Sequence, residues 1–155
     1  MLPKPTGAAV RLIPPVVYFV PFAVMWGLHW WRPWTIPGGS ALTVLGLALI
    51  LIGVVLSLWA GATLMRAGTT FIPWEQVTAI VSTGPFRFSR NPIYLADAIA
   101  YLGGTLVLHS WWPLLVLPVI LVAIRRKVMD PEERYLAERF GDPYREYQRR
   151  VGRWL

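Results

Sequence analysis

The sequence has no cysteine and few charged residues, and each shortage excludes whole classes of protein. Without cysteine there are no disulfides, iron–sulfur clusters, thiolate zinc sites or cysteine nucleophiles. Charged residues make up 15% of the 155 residues, whereas a soluble domain averages about 25%. This composition excludes a disordered or collagen-like chain, and it has too little charge to cover a water-soluble domain. The HExxH, Walker, GxGxxG and GxSxG motifs are also absent.

Acidic residues are especially scarce, with 8 Asp and Glu against 15 Lys and Arg and a net charge of +7. On a soluble protein such an excess would suggest nucleic-acid binding. Here the basic residues lie between apolar runs, and 55% of the residues are hydrophobic. The pattern therefore favours a membrane protein, and we expect no nucleic-acid partner.

Three uncharged runs are long enough to cross a bilayer, which takes about 20 residues in a helix. They lie between Arg11 and Arg32, between Arg32 and Arg66, and after Asp97. The third run is broken by the cluster 109–113, whose His, Ser, Trp and Pro residues are typical of an interfacial turn. The sequence therefore predicts a single all-α integral membrane domain, 1–155, with about four transmembrane helices, the last two a tight hairpin. The predicted spans are 13–31, 41–65, 93–109 and 112–127.

The basic residues provide an independent test of this topology, because Lys and Arg collect in cytoplasmic loops. With four spans and a cytoplasmic N-terminus, fourteen of the fifteen lie inside and only Arg32 lies outside. With three spans, five would lie inside and ten outside. We therefore expect both termini and the polar segments 66–92 and 128–155 on the cytoplasmic face. The expected location is a bacterial or archaeal inner membrane.

Two local patterns predict further structure. Gly53, Ser57 and Gly61 form a stripe of small residues, which predicts a helix-packing face. In the tail, Asp130 is a plausible N-cap and Gly141 a stop, so 128–155 is predicted to form two amphipathic helices. The second would carry apolar residues on one face and offer arginines to lipid phosphates. These residues are Tyr144, Tyr147, Val151 and Trp154, and Arg145, Arg149, Arg150 and Arg153.

The run STGPFRFSRNPIYL, 82–95, contains the most unusual chemistry. Continued as a helix, it would bring Arg90, Tyr94 and Asp97 onto one face. An ionisable residue inside a span, such as Asp97, is a functional-site hypothesis; the alternative is an interfacial pair with Arg90 or a tail arginine.

Two consecutive carboxylates, Glu132 and Glu133, return to the membrane face that carries Arg90. They could accept hydrogen bonds from a ligand or act as a base, or simply stabilise a helix N-terminus. His29 and His109 lack metal-ligand partners at useful spacing, so no metal site is expected.

The two segments together resemble a known family. STGPFRFSRNPIYL, a hydrophobic hairpin and then EERYLAERFGDPYREYQRRVGRW are similar to the isoprenylcysteine carboxyl methyltransferase and phospholipid methyltransferase superfamily. The resemblance covers roughly 66–154. It differs in having Asn91 where the eukaryotic prenylcysteine enzymes have His, and WAGAT at 59–63 where the phosphatidylethanolamine enzymes have a GxG element.

The resemblance implies an integral membrane enzyme that uses S-adenosylmethionine to methylate a lipid-soluble or amphiphilic acceptor. It implies a cofactor site divided between the two segments. The residues carried over to that site are Arg90, Asn91, Pro92, Tyr94, Glu132, Glu133, Leu136, Phe140, Tyr144 and Tyr147.

The class of acceptor stays open at this point. Arg87 or Arg90 would orient a carboxylate, whereas Glu132, Glu133 or Asp97 would take a proton from an amine. Two other functions are compatible with the sequence: an NADPH-dependent reductase of the sterol-reductase type, and a non-catalytic membrane module whose tail binds anionic lipid.

Overall fold

A computed structural model describes residues 14–69 and 77–155, and these residues are folded into α-helices without a β-strand. The all-α prediction is therefore confirmed for this part of the chain. The helices are α1 (Pro14–Trp31), α2 (Gly39–Arg66), α3 (Pro92–Val107), α4 (Trp111–Ile124), α5 (Asp130–Phe140) and α6 (Asp142–Arg150). A 3₁₀ turn, Gly84–Arg87, precedes α3, and a π turn, Arg125–Met129, joins α4 to α5. Residue 13 of the first predicted span and 70–76 of the cytoplasmic segment lie outside the described residues.

Among the described helices, α2 alone is both long and apolar enough to cross a membrane, with 28 residues. Helix α3 is apolar but has 16 residues, and α4 has 14 before the π turn begins. Helix α1 has 18 residues and contains Pro21. All four helices fall where the sequence predicted spans, and the four-span topology stays a prediction.

Helices α2 and α3 approach so closely that only glycine fits at their contact. A Cβ atom added at Gly46 would lie 2.6 Å from the carbonyl oxygen of Gly103, and the reciprocal distance is also 2.6 Å. Two turns further along α2, a Cβ at Gly53 would lie 2.7 Å from the carbonyl oxygen of Ala96. At Gly61 no atom of the described residues lies within 4 Å of such a Cβ. The predicted packing stripe is therefore correct at Gly53 and wrong at Gly61, because the contact repeats every seven residues rather than every four.

The core lies between α1, α3, α4 and the π turn. It contains three tyrosines together with aliphatic side chains and one methionine. These residues are Tyr18, Tyr94, Tyr101, Ile120, Ile124, Val128 and Met129. Buried phenols need hydrogen-bond partners, and two of these tyrosines reach backbone acceptors: the Tyr18 hydroxyl donates to the Tyr94 carbonyl at 3.2 Å, and that of Tyr101 donates to the Pro113 carbonyl at 3.1 Å.

The α1–α2 loop and the α3–α4 turn meet at the same end of the bundle. The amide of Ile36 donates to the His109 carbonyl at 2.8 Å, and the amide of Trp111 donates to the Trp34 carbonyl at 3.0 Å. His109 adopts a left-handed conformation with φ 53°, and the next residue, Ser110, caps α4 by accepting from the amide of Trp112. The predicted turn after α3 is thus present, and it brings α4 back alongside α3.

The tail differs from the sequence prediction at both of its ends. Asp130 is not an N-cap, because the chain is already helical before it; its amide donates to the Arg125 carbonyl, five residues back. The π turn accommodates Pro131, which lacks an amide hydrogen and would break an ordinary α-helical register. At the other end, α6 stops at Arg150 and Val151 is extended. Trp154 therefore reaches the core from a non-helical segment instead of from a helix face.

The glycine contact gives a first prediction. Gly46→Ala places a methyl group against the α3 backbone and should lower the thermal stability of the detergent-solubilised protein, because overpacking costs about 1–3 kcal/mol. Gly61→Ala is the matched control on the same helix. It should be neutral or stabilising, since alanine is favoured over glycine in a helix by up to about 1 kcal/mol. Equal melting temperatures for the two variants would contradict the close approach of α2 and α3.

Candidate functional site

The predicted site residues lie where three parts of the chain converge: the start of α3, the start of α5, and the non-helical segment 151–154. The backbone before α3 is not helical, because Pro92 occupies the first helical turn and Asn91 has φ −132° and ψ 56°. Pro92 and Asn91 are both buried. This start of α3 directs the residues that precede it towards the tail.

A cluster of four charged side chains forms the centre of the site. The Arg153 guanidinium binds Glu133 in a bidentate manner, with Nε to Oε1 at 3.0 Å and Nη2 to Oε2 at 2.7 Å. Its third nitrogen, Nη1, lies 2.9 Å from Oδ1 of Asp130. Arg90 approaches the same Glu133 carboxylate, with Nη1 3.3 Å from Oε2. The Glu133 side chain is 9% exposed and that of Arg90 12%, so water screens this cluster much less than a surface ion pair.

The neighbouring carboxylate, Glu132, has a different environment. It accepts a hydrogen bond from the Tyr94 hydroxyl at 2.9 Å, and the structure gives it no ion pair with a described residue. Burial raises the pKa of Glu132 to about 7, the negative charge of Glu133 also raises it, and the hydrogen bond from Tyr94 opposes the shift. Two adjacent carboxylates therefore differ in chemistry: Glu133 is an ion-pair partner, whereas Glu132 can gain or lose a proton near neutral pH.

The non-helical segment 151–154 is tied to the start of α3 by its backbone. The Arg153 carbonyl accepts from the Ser89 hydroxyl and from Nδ2 of Asn91, each at 3.2 Å. The Gly152 carbonyl accepts from the amide of Arg90 at 3.0 Å. The side chain of Asn91 is thus occupied in binding the backbone of segment 151–154.

Helix α6 covers the site through its two buried tyrosines. The Tyr147 hydroxyl donates to the Phe86 carbonyl in the 3₁₀ turn at 2.6 Å, and the Tyr144 ring packs beside that of Tyr147 at 6.0 Å. Burial raises the pKa of Tyr144 above its ordinary value and that of Tyr147 to about 12, so both phenols stay protonated at neutral pH.

Not all of the predicted site residues join this cluster. Leu136 and Phe140 are half-buried on α5. Arg87 is exposed, with its guanidinium 4.5 Å from the centre of the Phe88 ring. Asp97 does not pair with Arg90, because α3 begins only at Pro92 and the helical spacing that would align the two does not extend back to Arg90. Its Oδ2 atom is buried with no hydrogen-bond partner among the described residues.

An open cavity of about 520 Å³ lies beside the charged cluster. Its volume falls in the range typical of small-molecule sites. Carboxylates, two arginines and an amide line it, so it offers both acceptors and donors. The lining residues are Asp130, Glu133, Arg134, Ala137, Gln148 and Arg153.

The sequence analysis missed Arg153 as a site residue and assigned it to lipid contact. The structure corrects this, because the side chain is held by Glu133 and Asp130. Those hydrogen bonds, chiefly to Glu133, raise the pKa of Arg153 above its ordinary value. One signal could have indicated such a partner: Asp130, Glu132 and Glu133 put three acidic residues within four positions of a basic chain. No helical spacing leads from them to Arg153.

The raised pKa of Glu132 predicts how stability depends on pH. Between its ordinary value and about 7, the folded protein holds a proton that the unfolded chain releases, so this group's contribution to stability falls as pH rises. The free energy of unfolding of the parent, relative to that of Glu132→Gln, should therefore fall by about 1–3 kcal/mol between about pH 4.5 and about pH 7.5. Thermal unfolding in one detergent over this range measures the difference. Glu138→Gln, an exposed change on the same helix, corrects for the loss of one charge, and an unchanging difference would contradict the assignment.

Comparison with known proteins places this arrangement in a family. The chain is 27% identical over 137 residues to the cobalt-zinc-cadmium resistance protein CzcN of Cupriavidus metallidurans, a match that covers 88% of this chain and 58% of that protein. It is 35% identical over 63 residues to an uncharacterized protein of Haemophilus influenzae, covering 41% of this chain and all of that protein. The phospholipid methyltransferase family model matches residues 41–143, which include α2, α3, α4, α5 and the start of α6. The chain therefore belongs to the phospholipid methyltransferase family.

Proposed function

We propose that this protein transfers a methyl group from S-adenosylmethionine to a lipid-soluble or amphiphilic acceptor at the cytoplasmic face of the membrane. The observation that carries the proposal is the meeting of the two family segments. Tyr94 binds Glu132, and Arg90 binds Glu133, although about forty residues separate the partners. In a methyltransferase family member, this is where a divided cofactor site would be completed.

The residues of the cluster fit the polar groups of the cofactor. Its amino-acid moiety carries a carboxylate and an ammonium, and its ribose carries hydroxyls. Arg90 has a buried Nε with no partner among the described residues, and so retains a donor for a carboxylate. Glu132 and Glu133 provide acceptors for an ammonium or a hydroxyl, and half-buried Leu136 and Phe140 provide apolar surface for a base.

Little chemistry is required of the protein itself in such a reaction. The bound cofactor supplies a methyl group already activated by a sulfonium, so the chain has to align the acceptor and exclude water. Arg90 can orient an acceptor carboxylate, and Glu132 can take a proton from an acceptor that loses one. The buried Asp97 oxygen, which has no hydrogen-bond partner in the described part of the chain, is a second candidate proton acceptor on the membrane side. Arg87, which is exposed and stacked on Phe88, is a weaker candidate for the orienting role.

The proposal includes the four-span topology in a cell membrane, with both termini in the cytoplasm. Two observations support it: α2 is long and apolar enough to cross, and the α1–α2 loop is hydrogen-bonded to the α3–α4 turn at one end of the bundle. The charged cluster joins the start of α3 to the tail that follows α4. Both lie at the ends of these helices that are opposite to the α3–α4 turn.

This topology is tested by reporter fusions. Reporters after Trp34 and after His109 should lie outside the cell, and those after Gly84 and Leu155 inside, because fourteen of fifteen basic residues are then cytoplasmic. A Leu155 reporter on the outer face would contradict the hairpin formed by the last two spans.

Cofactor use is tested by calorimetry on the purified protein. The parent should bind S-adenosylhomocysteine and not NADPH, which would be the ligand of a reductase. Glu132→Gln should weaken S-adenosylhomocysteine binding about tenfold, since a charge-assisted hydrogen bond is worth about 1.5–3 kcal/mol. Glu138→Gln, an exposed change on the same helix, should leave binding unchanged. NADPH binding, or no binding of either ligand, would overturn the proposal.

A further inference from the structure

We propose that Arg153 is a positioning residue of the cofactor site, which acts by fixing the orientation of the Glu133 carboxylate. The inference rests on the proposed function, because it concerns the same site. It assigns a role to the C-terminal segment 151–154 that neither the family segments nor the sequence pattern indicated. The site is complete only when this segment is docked.

The side-chain geometry supports this role directly. Arg153 occupies both oxygens of Glu133, at 3.0 and 2.7 Å. A bidentate pair of this kind fixes the plane of the carboxylate as well as its position. Arg90 approaches Oε2 with Nη1 at 3.3 Å, a longer distance than either contact of Arg153. Arg153 therefore sets the orientation of Glu133, and Arg90 adds attraction without the same geometric constraint.

The backbone geometry explains how Arg153 itself is held. Its carbonyl accepts two hydrogen bonds from the start of α3, from Ser89 and Asn91. Its Nη1 is anchored to Asp130 one turn before the acidic pair. The same residue thus joins the segment before the hairpin by its backbone and the helix after the hairpin by its side chain, and it lines the cavity beside α5.

Loss of this guanidinium has a specific consequence for ligand binding. Glu133 would keep Arg90 as its remaining cationic partner and would lose the constraint on its plane. A ligand group that donates a hydrogen bond to Glu133 would then find the accepting oxygen out of position. Because Arg153 acts through Glu133, its removal should not weaken ligand binding further in a protein whose residue 133 cannot bind the ligand.

A double-mutant cycle on binding tests this dependence. We expect Arg153→Gln to weaken S-adenosylhomocysteine binding about tenfold in the parent, as for the loss of a charge-assisted bond. In the Glu133→Gln background, the same change should alter the dissociation constant by less than about twofold. Arg153→Lys keeps the charge without the bidentate geometry, so its affinity for S-adenosylhomocysteine should lie between those of the parent and Arg153→Gln. It replaces Arg153→Gln as the test variant if that protein does not fold. Arg149→Gln, an exposed change on α6 of the same kind, is the matched control and should bind like the parent.

The outcomes separate this inference from the proposed function. If the parent binds and Arg153→Gln loses thermal stability but not affinity, Arg153 is merely structural and the inference is wrong, while the proposed function stands. Equal weakening by Arg153→Gln in both backgrounds also overturns it, because the residue would then act independently of Glu133. A parent that does not bind S-adenosylhomocysteine overturns the proposed function and the inference together.

Discussion

The pairing of the Glu133 carboxylate with Arg153 and Arg90 is the interaction on which the end of the molecule that carries the tail depends. The three residues come from the chain end, the start of α5 and the segment before α3. A nearly buried carboxylate is costly unless it is paired and its oxygens are satisfied. Here both oxygens are satisfied, and each of the two arginines ties a different segment to α5. Removal of either partner would leave charge in a poorly solvated position, so the pairing constrains three segments at once.

The packing of α2 on α3 determines where this cluster lies. Gly46 and Gly53 allow the two helices to meet almost backbone to backbone, as small residues do when helices pack in lipid. Further along the same face, Ala60 and Leu64 pack against Phe86 of the 3₁₀ turn. The carbonyl of Phe86 in turn accepts from Tyr147 on α6. A contact between two apolar helices is thereby connected to the tail that closes the site.

The π turn at Arg125–Met129 connects the last apolar helix to the acidic pair without interrupting the helix. A change of register is needed here because Pro131 cannot donate to the fourth carbonyl before it. The extra residue in the turn also rotates α5 relative to α4. Glu132 is consequently directed to Tyr94, and Glu133 to the arginines. Single π turns of this kind are frequent at functional sites, and here one directly precedes the helix that carries both the ion-pairing carboxylate and the carboxylate whose pKa is raised to about 7.

The sequence by itself determined the helices, their order and the expectation that the two family segments lie together. Apolar runs, turn residues and the asymmetry of the basic residues are local or additive signals, and they are sufficient for α1 to α4, for the break at Gly141 and for the expectation that Arg90 and the acidic pair meet. Tertiary structure alone decided the remainder. Three features depend on distances between segments that are remote in sequence. They are the residues of α2 that pack on α3, the pairing of Arg90 with Glu133 instead of Asp97, and the return of Arg153 to the site. Helical periodicity could not indicate them, because the decisive residues before Pro92 and after Arg150 are not in helices.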